Sequence, residues 1–183
     1  MSQPQFDPTG FFQFDLARGS VTAQNGTRVL VLSEKVLAPL VATAVRGGDL
    51  TAIRELGNQL GTLVASALGK PAAKLPPEVV MAHAGGVMAL YGWGRVQLER
   101  WGDALALEVE QIPPLDGENL AVAALLGGMF STFSGSEVAC VPVAASRRYL
   151  VVEPAVAERI WTWAKNGDGV GAIVSRLYAS ERA

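Results

Sequence analysis

The sequence predicts an α+β domain, and three observations predict it. Residues 120–133 are apolar on nearly every helical face and carry the pair Gly127-Gly128, so that helix belongs in the interior. Residues 95–112 and 137–153 each hold two short strand-like runs broken by a turn, as antiparallel hairpins do. Before and after them, apolar residues recur at helical spacing.

The elements follow in order. Residues 1–10, with Pro4 and Pro8, read as a loose arm. Phe12, Phe14 and Leu16 alternate with Gln13 and Asp15, as in a half-buried strand. Asn25-Gly26 is a hairpin-turn signal, and 28–32 would be the returning strand. Residues 1–27 are thus an N-terminal arm and strand, a hairpin extension to one domain over 28–183. Ser33 can cap a helix over 34–46, which Pro39 should kink or delay. Asp49 can cap the next helix, which ends at Leu68 before Gly69. Its bulky stripe is Ile53, Leu56, Leu60 and Leu63, and its small stripe contains Gly57 and Gly61. Two such glycines cost roughly 1 kcal/mol each against Ala, so a close backbone approach should compensate.

A proline-bearing linker over 70–77 leads to a helix over 78–91. In 95–101 and 104–112 one face is apolar and the other polar, so the sheet should be antiparallel and half solvated. The helix from about Glu118 bears Val122, Leu126, Met129, Phe130 and Phe133 as its bulky stripe. Residues 137–143 and 147–153 pair around Ala144–Ser146, and Pro142 marks an edge or a bulge. Two helical regions close the chain, one opening at Pro154 and one lined by Val170, Ile173, Val174, Leu177 and Tyr178.

Composition limits the function classes. Half of the 183 residues are apolar, but only 17% are charged, low for the surface of a free monomer, so another copy or a partner should cover part of it. The formal net charge is −2 and no basic run stands out, which argues against nucleic acid. No apolar stretch reaches the roughly 18 residues of a membrane span. The lone Cys140 and the lack of a secretory leader fit a reducing cytoplasm. Four Lys against eleven Arg, with much Ala, Gly and Val, suggest a GC-rich bacterial genome.

Three segments carry a family resemblance: Leu56-Gly57-Asn58-Gln59-Leu60-Gly61, Tyr91-Gly92-Trp93-Gly94-Arg95, and Leu126-Gly127-Gly128-Met129-Phe130 with Gly135, Val138 and Cys140. In order and spacing they resemble the 4-vinyl reductase domain family over roughly residues 28–153. That family is similar in fold to the core subunits of the vesicle-tethering transport protein particle. The resemblance implies a four-stranded antiparallel sheet on one side of a helical layer, and dimer formation through helices. It also implies links to bacteriochlorophyll synthesis, to sensing of aromatic hydrocarbons or to scaffolding, so the fold does not carry the chemistry. Sensor members bind zinc through several cysteines near the final hairpin. Here only Cys140 and Glu137 are available, too few for a tetrahedral site.

Each candidate site also has a plainer role. His83, the single histidine, could be an acid or base, but a local hydrogen bond within its helix explains it better. Cys140 could be a nucleophile or an acylation point, against a small buried strand residue. Trp93, Trp101, Trp161 and Trp163 could bind a planar ligand or simply pack. Glu108 and Glu110 share a strand face with no sign of catalytic pairing, and neither Gly92-x-Gly94 nor Gly167-x-Gly169 has the strand–turn–helix setting of a phosphate loop. Gly57, Gly61, Gly127 and Gly128 permit close helix packing, inside the fold or across a dimer, or could leave an apolar cavity. These readings assign no catalytic residue, no metal and no cofactor. The expected function is a non-enzymatic binding or scaffolding domain. It would be a homodimer that takes a protein partner or a small hydrophobic ligand near Trp93, Leu126, Met129, Phe130, Phe133 and Cys140. The alternative is an accessory enzyme or ligand sensor acting on a tetrapyrrole or aromatic hydrocarbon.

Overall fold

The computed structural model describes residues 6–143 and 147–179, so the turn expected at 144–146 lies outside the described residues. Strands β1 (Phe12–Asp15), β2 (Ser20–Ala23) and β3 (Arg28–Val29) form one antiparallel sheet in that order. Helices α1 (Glu34–Gly47), α2 (Thr51–Leu68) and α3 (Pro77–Leu90) follow. The second sheet holds β4 (Arg95–Trp101), β5 (Ala104–Glu110), β6 (Ala139–Pro142) and β7 (Arg148–Val152). Its order is β4-β5-β7-β6, antiparallel throughout. Helix α4 (Leu120–Ser134) joins the two hairpins, and α5 (Pro154–Lys165) and α6 (Val170–Ala179) end the described chain. Pro142 lies in β6, at the sheet edge, where its missing N–H costs least.

The N-terminal sheet differs from expectation in two ways. Ser20–Ala23 forms a strand that its mixed composition does not announce, and the returning strand stops at Val29. Leu30, Val31 and Leu32 belong to no sheet. The arm is also not loose from residue 6 onward. Phe11 is buried, and its ring meets Phe6, Phe12 and Tyr91 at centroid distances of 5.9, 5.2 and 6.3 Å. Phe6 lies over Gly86 of α3, where a Cβ would overlap the ring.

Helix α4 is the centre of the core, with nine buried residues among fifteen. Asp116 caps it: one carboxylate oxygen accepts from the Leu120 N–H at 2.9 Å and the other from the Ala121 N–H at 3.0 Å. Its small stripe packs on that of α2. A Cβ on Gly57 would overlap the Leu125 carbonyl, one on Gly128 would overlap the Arg54 carbonyl, and one on Gly61 would lie 2.6 Å from the Met129 carbonyl. The two backbones therefore touch within one chain. Arg54 fastens the same crossing. Its guanidinium donates to Glu137 at 2.5 Å, to Ser131 Oγ at 3.1 Å and to the Val138 carbonyl at 3.2 Å, tying α2 to the turn after α4.

The second sheet is half solvated along β4, as expected, but helices cover both faces of its β5–β7–β6 part. Val96, Leu107, Val109, Cys140 and Tyr149 face the core around α2–α4. Ala104, Ala106, Val141 and Leu150 face Ile160 and Ala164 of α5 and Val170 and Ile173 of α6. The small alanines and two large aliphatic side chains give α5 and α6 apolar ground beside the charged residues of the same face. Those charges pair among themselves. Arg148 grips Glu99 with two bonds of 2.7 and 3.1 Å and reaches Glu108 at 3.5 Å, while Trp101 Nε1 donates to Glu99 at 3.0 Å.

The Arg148 and Trp101 hydrogen bonds hold the Glu99 carboxyl down at about 2, from an ordinary 4.5. A depressed carboxyl stabilises the fold above its unfolded value and loses that contribution as pH falls through the folded one. We expect Glu99→Gln to flatten the fall of melting temperature between pH 4.5 and about 2 relative to the parent. Parallel acid limbs for the two proteins would refute the pairing.

Candidate functional site

Helix α2 uses its two stripes on neighbouring sides, roughly a third of a turn apart. While Gly57 and Gly61 face α4, Leu56, Leu60 and Leu63 line a cavity of about 620 Å³. That volume lies within the roughly 300–1,000 Å³ of small-molecule sites. The opposite walls are Phe12, Phe14 and Val21 of the N-terminal sheet, the 30–32 segment and Leu37 of α1. Tyr91, Trp93 and Leu115 close one end.

The aromatic end is set by the exit from α3. The Gly92 N–H donates to the Ala89 carbonyl at 3.1 Å and the Trp93 N–H to the Met88 carbonyl at 3.0 Å, turning the chain back on the helix. Gly92 and Gly94 have φ of +75° and +96°, where side chains are strained. A Cβ on Gly94 would also overlap the Glu110 carbonyl. This turn buries Trp93 and stacks Tyr91 edge-on to Phe12 at 5.3 Å. Burial raises the Tyr91 phenol above its ordinary value, so it enters the cavity neutral at physiological pH.

The walls are mostly apolar, with polar groups at a few points. Gln59 Nε2 donates to Glu55 at 2.8 Å, leaving the amide oxygen of Gln59 as an acceptor, and Asn25 accepts from the Thr27 N–H at 3.1 Å. Among the described residues the titratable groups of the walls are Arg28, Glu34 and Tyr91. Such a site can hold a planar apolar molecule and satisfy one or two polar atoms on it.

The structure separates the residues singled out in sequence. Trp93 lines the cavity. Leu126, Met129, Phe130 and Cys140 are buried in the main core, with Phe133 packed against it, and none of the five is among the cavity walls. Phe130 and Phe133 meet each other at a tilt, with ring centroids 4.7 Å apart. Gly127 meets the Arg54 guanidinium, and Gly57, Gly61 and Gly128 make the α2–α4 contact. Cys140 is buried, and desolvation pushes its thiol up to about 12, so it is protonated and shielded. Glu137 is engaged by Arg54, so the residues at the final hairpin do not fit a zinc site. His83 Nδ1 lies 2.9 Å from the Val79 carbonyl one turn back, and its ring meets Phe6 edge-on. Tyr149, central in the core, has a hydroxyl with no partner among the described residues, and burial raises its pKa.

Sequence reasoning missed Phe12, Leu37, Leu56 and Tyr91 as cavity residues. The available signal was the bulky stripe of α2, which has more large side chains than one helix contact needs.

A four-stranded sheet packed between helices, a glycine-mediated helix crossing and an aromatic-ended cavity make up this α+β fold. Among solved structures it is similar to the phenol-responsive sensory domain of the transcription activator PoxR, crystallised with phenol. The TM-score is 0.58 at 12% identity, over 88% of this chain and 96% of that one. At that identity the likeness establishes the shared fold. No family model and no curated protein matches the chain.

Proposed function

We propose that this chain is a non-enzymatic ligand-binding domain of sensory type, related to the 4-vinyl reductase domain family. It takes a small, largely apolar aromatic molecule and acts as a homodimer. The observation that carries the reading is the cavity bounded by Phe12, Tyr91 and Trp93 over Leu56, Leu60 and Leu63. The fold shared with a phenol-responsive sensory domain supports it. The low charged fraction and the exposed apolar side chains of the N-terminal region support the dimer.

Calorimetric titration with phenol, indole and naphthalene tests the site. At least one should bind saturably. Leu56→Trp, which puts an indole into the cavity, should weaken that binding at least about tenfold, or about 1.4 kcal/mol. Its melting temperature should stay near the parent's. Absence of saturable binding by all three probes, or equal binding by the variant, would sink the reading.

A further inference from the structure

The segment after β3 presents three consecutive large apolar residues to solvent: Leu30, Val31 and Leu32 are 74, 78 and 57% exposed. In an extended chain neighbouring side chains point to opposite sides. The segment runs on from β3 to Ser33, whose backbone is extended, so both of its sides lie open. Among the described residues, no main-chain hydrogen bond reaches Leu30, Val31 or Leu32. β3 is the edge of its sheet, and α1 adds an exposed ridge of Val36 and Leu40, one turn apart. An unpaired apolar edge of this kind is a template for another strand.

We infer that this edge pairs antiparallel with the same segment of a second copy, about a two-fold axis through Val31. The argument for a second copy is the order of charges. Arg28 precedes the apolar triplet and Glu34 follows it, each three residues from Val31. Antiparallel pairing centred there sets Leu30 opposite Leu32 and brings Arg28 of each copy, at the end of the pairing, beside Glu34 at the first turn of the other copy's α1. The edge is thus its own complement in both apolarity and charge, as an isologous contact requires. Neither Arg28 nor Glu34 forms an ion pair among the described residues. The two short sheets become one, and the second copy covers the side of the cavity that Leu30–Leu32 leave open. The pairing does not depend on the cavity's being occupied.

Val31→Cys tests the axis, because only a residue on it meets its own copy. Cα separations across antiparallel strands, about 4.5 or 5.5 Å, suit a disulfide. Mild oxidation of the full chain should give covalent dimer with Val31→Cys and none with Leu16→Cys, a control on the exposed loop after β1. Buried Cys140 does not compete. In ultracentrifugation without ligand, the parent should be dimeric at micromolar concentration. Arg28→Glu and Glu34→Arg should each raise the dimer dissociation constant about tenfold or more, and the double exchange should restore it. Circular dichroism should show each variant folded, since both positions are exposed. A monomeric parent, cross-linking equal at Leu16 and Val31, or no restoration in the double exchange would overturn the proposal. Phenol binding by a monomeric parent would overturn the pairing and leave the cavity reading standing.

Discussion

Gly128→Ala is expected to destabilise the protein by about 3 kcal/mol or more, and Gly57→Ala by a similar amount. The added Cβ at either position overlaps a carbonyl oxygen of the facing helix, of Arg54 or of Leu125. Neither carbonyl can rotate away, because each belongs to a helical backbone, so the helices must separate. Separation loosens the packing around α4, the most buried helix of the fold. Gly127→Ala makes the contrast. Its Cβ meets the end of the Arg54 side chain at 2.7 Å, which can swing aside at the cost of weaker bonds to Glu137 and Ser131. Gly171→Ala, in open space on α6, should leave stability unchanged or raise it. Urea unfolding followed by circular dichroism ranks the four. A Gly128 variant as stable as the Gly127 variant would show that the helices are not in backbone contact.

Phe11→Ala should cost about 3–5 kcal/mol and should abolish binding at the cavity as well. Phe11 is 2% exposed and lies in the same core cluster as Val41, Leu60 and Met88. Its ring meets Phe6, Phe12 and Tyr91, so its loss frees the cavity wall formed by β1. Amide exchange should then accelerate in β1 and β2 well before the β4–β7 sheet. Uniform acceleration across both sheets would show instead that the N-terminal strands unfold only with the whole domain.

These expectations rest on features of unequal legibility. The buried α4 helix, the two hairpins and the small stripe of α2 were readable, because each is a local pattern within one element. Gly57 and Gly128 were readable as packing positions, because glycine inside a helix needs a compensating contact. The cavity was not readable. Its walls come from β1, the 30–32 segment, α1, α2 and the turn after α3, which no single periodicity connects. The two aromatic residues of α4, Phe130 and Phe133, drew attention instead, and they pack against each other. The second face of the large sheet misled for a different reason. Ala104 and Ala106 alternate with leucines as polar residues would, yet they are small enough to receive α5 and α6.

Helix α2 has no freedom to slide, since backbone contact at its glycines and the Arg54 clamp fix one side of it. The cavity therefore has an anvil and a diaphragm. A guest of the wrong size cannot push α2 back. Any give must come from the far wall, where the 30–32 segment is exposed and outside both sheets.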